Sequence, residues 1–236
     1  MKLSNARNLA TALMVGFAGA AIADDIKAKS DAKVAAPFDI VESRIVVDKD
    51  HATFQTRVRG DAGANKPAAT GKFEGSQVYA YVWPTSLDSA DVGFEKGQGI
   101  VALAVTYHPD FDDGAKGAKN RDHWHPHWVV LAKDQSCGGG LKVVDVPKDA
   151  KPKLPEHWPG APLLIDSPDY PTKVSGDMVE VQVPLSALAG LKNASFDAVA
   201  AGLKVNADLH APLLCVADVF KIASGDLSLP GKPAAK

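Results

Sequence analysis

No part of this chain carries a long helical pattern; short runs of β-forming residues recur instead, separated by glycine and proline turns. Val78-Tyr-Ala-Tyr-Val-Trp83 and Ile100-Val-Ala-Leu-Ala-Val105 are apolar throughout, the pattern of central strands buried on both faces. Thr53–Arg59 alternates loosely and Met178-Val-Glu-Val-Gln-Val183 cleanly, as half-buried antiparallel strands do. The strand candidates are Ile40–Val47, Ala52–Arg59, Gln77–Trp83, Gly99–Tyr107, His125–Ala132, Leu141–Val146, Met178–Val183, Gly202–Leu209 and Leu213–Ile222. Leu185–Leu191 can form a turn or two of helix behind Pro184, and Phe196–Ala201 another. The expectation is an all-β fold, an antiparallel β-sandwich of roughly nine strands, forming one domain over residues 38–229. Residues 24–37, rich in Lys, Ala and Asp, read as a flexible leader, and 230–236 as a flexible tail.

The first 23 residues read as an export signal. Lys2 and Arg7 precede a mostly apolar run from Leu9 to Ala21, and Ala21-Ile22-Ala23 supplies a small-x-small cleavage pattern. That run is too short for a permanent span, so cleavage after Ala23 would release a 213-residue chain into an oxidising space, such as a bacterial periplasm. Losing Lys2 and Arg7 takes the formal net charge from −2 to −4. With no basic run, such a chain is not suited to nucleic acid or to an anionic membrane surface. Cys137 and Cys215 are the two cysteines. In that compartment they are expected to form one structural disulfide, worth roughly 3–4 kcal/mol for a loop of this length. Protein partners are not legible.

The run His123-Trp124-His125-Pro126-His127-Trp128 holds three of the seven histidines. On a strand, residues two apart share a face, which sets His125 and His127 side by side, about 6–7 Å apart at the backbone. His123 and His127 would be about 13–14 Å apart and cannot easily share an ion, which leaves His123 the weaker candidate. His108 ends the preceding strand, and sequential strands usually pair, so it falls beside the His-x-His run. Three imidazoles around one point suit a divalent transition metal, Cu(II) or Zn(II) first and iron next. His210, five residues before Cys215, is the candidate fourth ligand, with Asp110 and Asp112 as carboxylate alternatives. His51 reads as a turn residue, and Asp110-Phe-Asp-Asp-Gly114 as a solvated acidic turn without the EF-hand spacing.

Two resemblances sharpen the alternatives. Val174-Ser-Gly-Asp-Met-Val-Glu-Val-Gln-Val-Pro-Leu-Ser-Ala-Leu188 resembles a segment of secreted sandwich domains of the DOMON and family-9 carbohydrate-binding type, where a Gly-Asn/Asp turn leads a strand ending in Pro-Leu-x-x-Leu. That likeness implies a sandwich binding haem or sugar, with Met178 as the methionine available to a haem iron. His125-Pro-His127-Trp128 is similar to the His-x-His-Trp of α-type carbonic anhydrases, which implies zinc lyase or hydrolase chemistry. That family's second histidine-tryptophan segment is missing. For sugar binding, Tyr79, Tyr81, Trp83 and Trp158 are the stacking candidates. The chain has no His-Glu-x-x-His, no Gly-x-Ser-x-Gly and no Cys-x-x-Cys-His. No residue is assigned a catalytic role; the leading expectation is metal binding for sequestration, delivery or sensing.

Overall fold

The computed structural model describes residues 24–206 and 212–236. The expected export signal and His210 therefore lie outside the described residues. Thirteen strands follow in order: β1 (Ile26–Lys27), β2 (Ile40–Val47), β3 (His51–Val58), β4 (Gln77–Pro84), β5 (Ile100–Tyr107), β6 (His125–Lys133), β7 (Leu141–Val143), β8 (Ile165–Asp166), β9 (Thr172–Ser175), β10 (Met178–Pro184), β11 (Val199–Val205), β12 (Leu214–Ile222) and β13 (Ala234–Ala235). Short 3-10 turns are the helical elements. Among the described residues no helix is long and apolar enough to cross a membrane.

The chain is all-β, built from two sheets, and one of them closes on itself. The first sheet runs β1-β2-β3-β10-β9, with β13 parallel to β2. The second runs β5-β4-β11-β12-β7-β6, and β6 pairs back onto β5 to complete a six-stranded barrel; β8 adds to β6. This closure explains the uninterrupted apolar runs. One face of β4, β5 and β6 packs on the first sheet, through Tyr81, Trp83, Leu103, Val105, Trp128 and Val130. The opposite face, with Ala80, Ala102, Val129 and Leu131, belongs to a second apolar cluster inside the barrel. A strand buried on both sides has no polar face to alternate with.

The first sheet shows the complementary pattern. Val179, Val181 and Val183 of β10 point inward, while Glu180 and Gln182 point away from the core. Glu180 there accepts a hydrogen bond from Gln55 Nε2 on β3 at 2.6 Å. Between the sheets Phe54 meets Trp83 and Trp128 edge-on, with centroids 5.9 and 6.0 Å away. Trp83 Nε1 donates to Ser43 Oγ at 3.1 Å, so the indole is buried without an orphaned donor.

The leader and tail are paired in the structure, contrary to the expectation of flexibility. Ile26 and Lys27 bond to β2, Ala234 and Ala235 run parallel to Val46 and Val47, and Asp24 bridges Lys232. Composition misleads here because a few specific contacts hold the leader. Buried Asp39 accepts from Ser30 Oγ (2.8 Å), Asp31 N (2.9 Å) and Arg59 Nε (2.8 Å), and Lys221 Nζ of β12 lies 3.3 Å from its other oxygen. Phe38 stacks on Phe220 at 4.6 Å. The helix expected at 196–201 is absent: Phe196 bridges Thr85 and Gly231, and Val199 begins a strand between β4 and β12. Sheet pairing outweighs the helix preference of its alanines.

Cys137 and Cys215 form a disulfide, with Cα atoms 5.2 Å apart across 78 positions. It ties the β6–β7 turn to β12. Close approach needs the glycines beside it: a Cβ on Gly138 or Gly139 would fall 2.6 Å from Ala217 O or Val216 Cγ1.

Candidate metal centre

β5 and β6 pair so that Thr106 lies opposite His125 and Ala104 opposite His127. His108 follows the last residue of β5. The loop from Pro109 to Trp124 then folds back under the two strands, and its acidic residues are sorted by their partners. Asp110 accepts from the backbone amides of Thr70 (2.8 Å) and Gly71 (2.7 Å). Asp112 takes Asn120 N at 3.0 Å and the Arg121 guanidinium. Asp113 is left facing the histidines. It is steadied by Asn120, whose Nδ2 donates to Asp113 Oδ1 at 2.8 Å and whose Oδ1 accepts the Asp113 amide at 3.0 Å.

The result is a buried four-donor cluster, His108, Asp113, His125 and His127, whose donor atoms all lie within 4.8 Å of one another. His108 Nε2 is 3.0 Å from His125 Nε2 and 3.2 Å from Asp113 Oδ2. Asp113 Oδ1 is 3.1 Å from His125 Nε2, and its Oδ2 is 3.4 Å from His127 Nε2. Four donors bonded tetrahedrally to one ion at about 2.0–2.1 Å stand about 3.3 Å apart, close to the four separations above and tighter than the 4.8 Å that spans the whole set.

The outer nitrogens decide the protonation pattern. His108 Nδ1 donates to Phe111 O at 2.9 Å and His125 Nδ1 to His123 O at 2.8 Å. A carbonyl only accepts, so each Nδ1 carries a hydrogen and both rings turn Nε2 inward, towards each other and Asp113. The two Nε2 atoms stand 3.0 Å apart, a separation held either by a shared hydrogen or by a metal ion between them. This outer-shell locking is how metal-ligating histidines are usually oriented. His127 Nδ1 lies 3.0 Å from Ser167 Oγ, and its Nε2 is buried without a hydrogen-bond partner. Burial pushes His127 down to about 3, partly opposed by the Asp113 charge. Burial also works to raise the Asp113 carboxyl, but His127, His108 and His125 outweigh it and hold the group well below the usual carboxylate range.

Of the residues singled out from the sequence, the structure brings together His108, His125 and His127. His123 is not in the cluster: its side chain is 72 % exposed and pairs with Asp122 at 2.6 Å. Asp110 and Asp112 are engaged by the loop as described. The carboxylate in the cluster is Asp113, which the sequence reading left in a solvated turn. Asn120-Arg121 at the far end of the same loop engages Asp112 and orients Asp113, while Thr70 and Gly71 take Asp110.

The aromatic platform for sugar does not form. Tyr81 and Trp83 are fully buried between the sheets, Tyr79 is packed edge-on to Phe38 and Phe220, and Trp158 donates its Nε1 hydrogen to Leu163 O. Met178 sits on β10 in the first sheet, paired with Arg57 and Ser175, whereas His125 and His127 lie on β6 of the second. No family model matches this chain, and comparisons with curated proteins and with solved structures return no match.

Proposed function

We propose that this chain is an exported protein holding one divalent transition-metal ion through His108, His125, His127 and Asp113. The observation that carries the reading is the convergence of three imidazole nitrogens and one carboxylate within 4.8 Å, in a buried site. A set of three nitrogens and one oxygen suits Zn(II) or Cu(II), with iron next. Cu(I) would call for sulfur, and both cysteines are spent in the disulfide. Four protein donors make a closed set, which suits retention of the ion; a catalytic zinc keeps one position for water. The role that follows is sequestration, delivery or sensing of metal at the cell envelope. The basic-then-apolar start of the chain and the disulfide support export.

A competition titration tests this. Chelator-stripped, untagged protein is titrated with Zn2+ and Cu2+ against a chromophoric chelator, beside H125A/H127A and H123A. One equivalent should bind to the parent and to H123A, and the double variant should lose the site. Equal affinity in the double variant would refute the assignment.

A further inference from the structure

The barrel is hollow. A cavity of about 650 Å3 fills its interior, between Val78 and Ala80 of β4, Ala104 of β5, Val129 of β6 and Ala201 and Leu203 of β11. Ala80 and Ala201 are cross-strand neighbours, so small side chains stand where a barrel of six strands needs bulk to fill itself. Native interiors keep few voids larger than a water molecule, and a space of this size falls within the range of ligand pockets.

Three further observations point to an apolar occupant. Among the described residues the exposed large hydrophobic side chains are Phe73, Ile100, Val219 and Leu227, and every one of them lines this cavity. Leu227 and Leu229, both in the wall, hold φ of 59° and 54°, a left-handed conformation that branched side chains seldom adopt and that clusters at ligand sites. The polar groups of the wall gather largely at one place: Thr106, His108, Asp112, Asp113 and His127. Thr85 is the exception, and its hydroxyl is spent on Val101 O at 2.9 Å.

We propose that the lumen binds an apolar small molecule with one anionic head, of the class of medium-chain or arylalkyl carboxylic acids. The tail lies among the lumen alanines, valines and leucines, and the carboxylate faces the His/Asp cluster. The choice of an anionic head rests on the metal reading. A divalent ion among three neutral imidazoles and one carboxylate leaves the site net positive, whereas without it Asp113 would repel an anion. The apolar part rests on the cavity alone.

The test uses a fluorescent dansyl-undecanoic acid as probe, with metal-loaded and chelator-stripped full-length protein, and with decanoate and decanol as competitors. Metal-loaded protein should bind the probe saturably, and decanoate should displace it about tenfold better than decanol, the margin of one charge-assisted contact. Ala201→Trp should abolish probe binding while taking up one equivalent of metal; the more conservative Ala104→Leu should weaken it, and keeps the test intact if the tryptophan variant fails to fold. No saturable binding by loaded wild-type protein overturns the proposal, as does unchanged binding by both lumen variants. Equal competition by decanoate and decanol overturns the anionic head. If the protein takes up no metal, the functional reading fails by that measurement, and probe binding by stripped protein still decides for or against the apolar lumen.

Discussion

Asp113→Asn is the most informative single change at the cluster. The amide keeps the shape of the carboxylate and can still accept from Asn120 Nδ2, now 2.8 Å away, so the loop should hold its fold. What is lost is the one negative charge among three imidazoles lying 3.1 to 3.4 Å from its oxygens. Changes to groups that merely support a ligand cost about 10–100-fold in metal affinity, so replacing a ligand itself should cost about 100-fold or more. Linkage converts this into stability. At a free-metal concentration of about a thousand times the wild-type Kd, binding stabilises the native state by about 4 kcal/mol; a site about 100-fold weaker gains about 1.4 kcal/mol at the same concentration. For a domain of this size those gains raise Tm by about 8–16 °C and about 3–6 °C respectively. Circular-dichroism melts of both proteins, with metal and with chelator, measure the two shifts. A metal-induced shift in Asp113→Asn equal to that of the wild type would refute the claim that this carboxylate is a ligand.

Other outcomes follow from the core, the disulfide and the buried acid. Phe54→Ala empties the contact between Trp83 and Trp128 and should cost about 3–5 kcal/mol in urea unfolding, leaving the metal stoichiometry unchanged. Replacing Cys137 and Cys215 by serine should lower stability by roughly 3–4 kcal/mol, and reducing agent should destabilise the parent but not this variant. Asp39 loses water on burial, yet bonds from Arg59, Ser30, Asp31 and Lys221 prevail and lower it from 3.8 to about 2. A folded-state value below the unfolded one adds stability that is complete above about pH 4 and lost as pH falls towards 2. Allowing for the solvent around Arg59, that is about 1–2 kcal/mol, and Asp39→Asn should flatten the acid limb of a stability–pH curve by that amount.

Most of the strands could be read from the chain because they are either alternating or continuously apolar. β2, β3, β4, β5, β6, β10 and β12 fall within a residue or two of expectation. Barrel closure was hidden, because the pairing of β6 with both β5 and the short β7 and β8 is tertiary and leaves no periodic trace. For the same reason the lumen was hidden: Ala80 and Ala104 stood in runs read only as buried central strands, and Ala201 in an expected helical turn, whereas all three line a space. At the site, His-x-His spacing on a strand and a histidine closing its neighbour were legible from the two-residue repeat. Choosing among Asp110, Asp112 and Asp113 was not, since an irregular loop has no repeat and the answer lay with Thr70, Gly71, Asn120 and Arg121.

The central claim is that this chain carries a metal. Elemental analysis of untagged protein, isolated from expressing bacteria without added metal, tests it most directly. We expect close to one equivalent of zinc or copper in the parent, and its loss in H125A/H127A. Metal-free protein that takes up no zinc, copper or iron on titration would contradict the account and make the four-residue cluster a purely structural network.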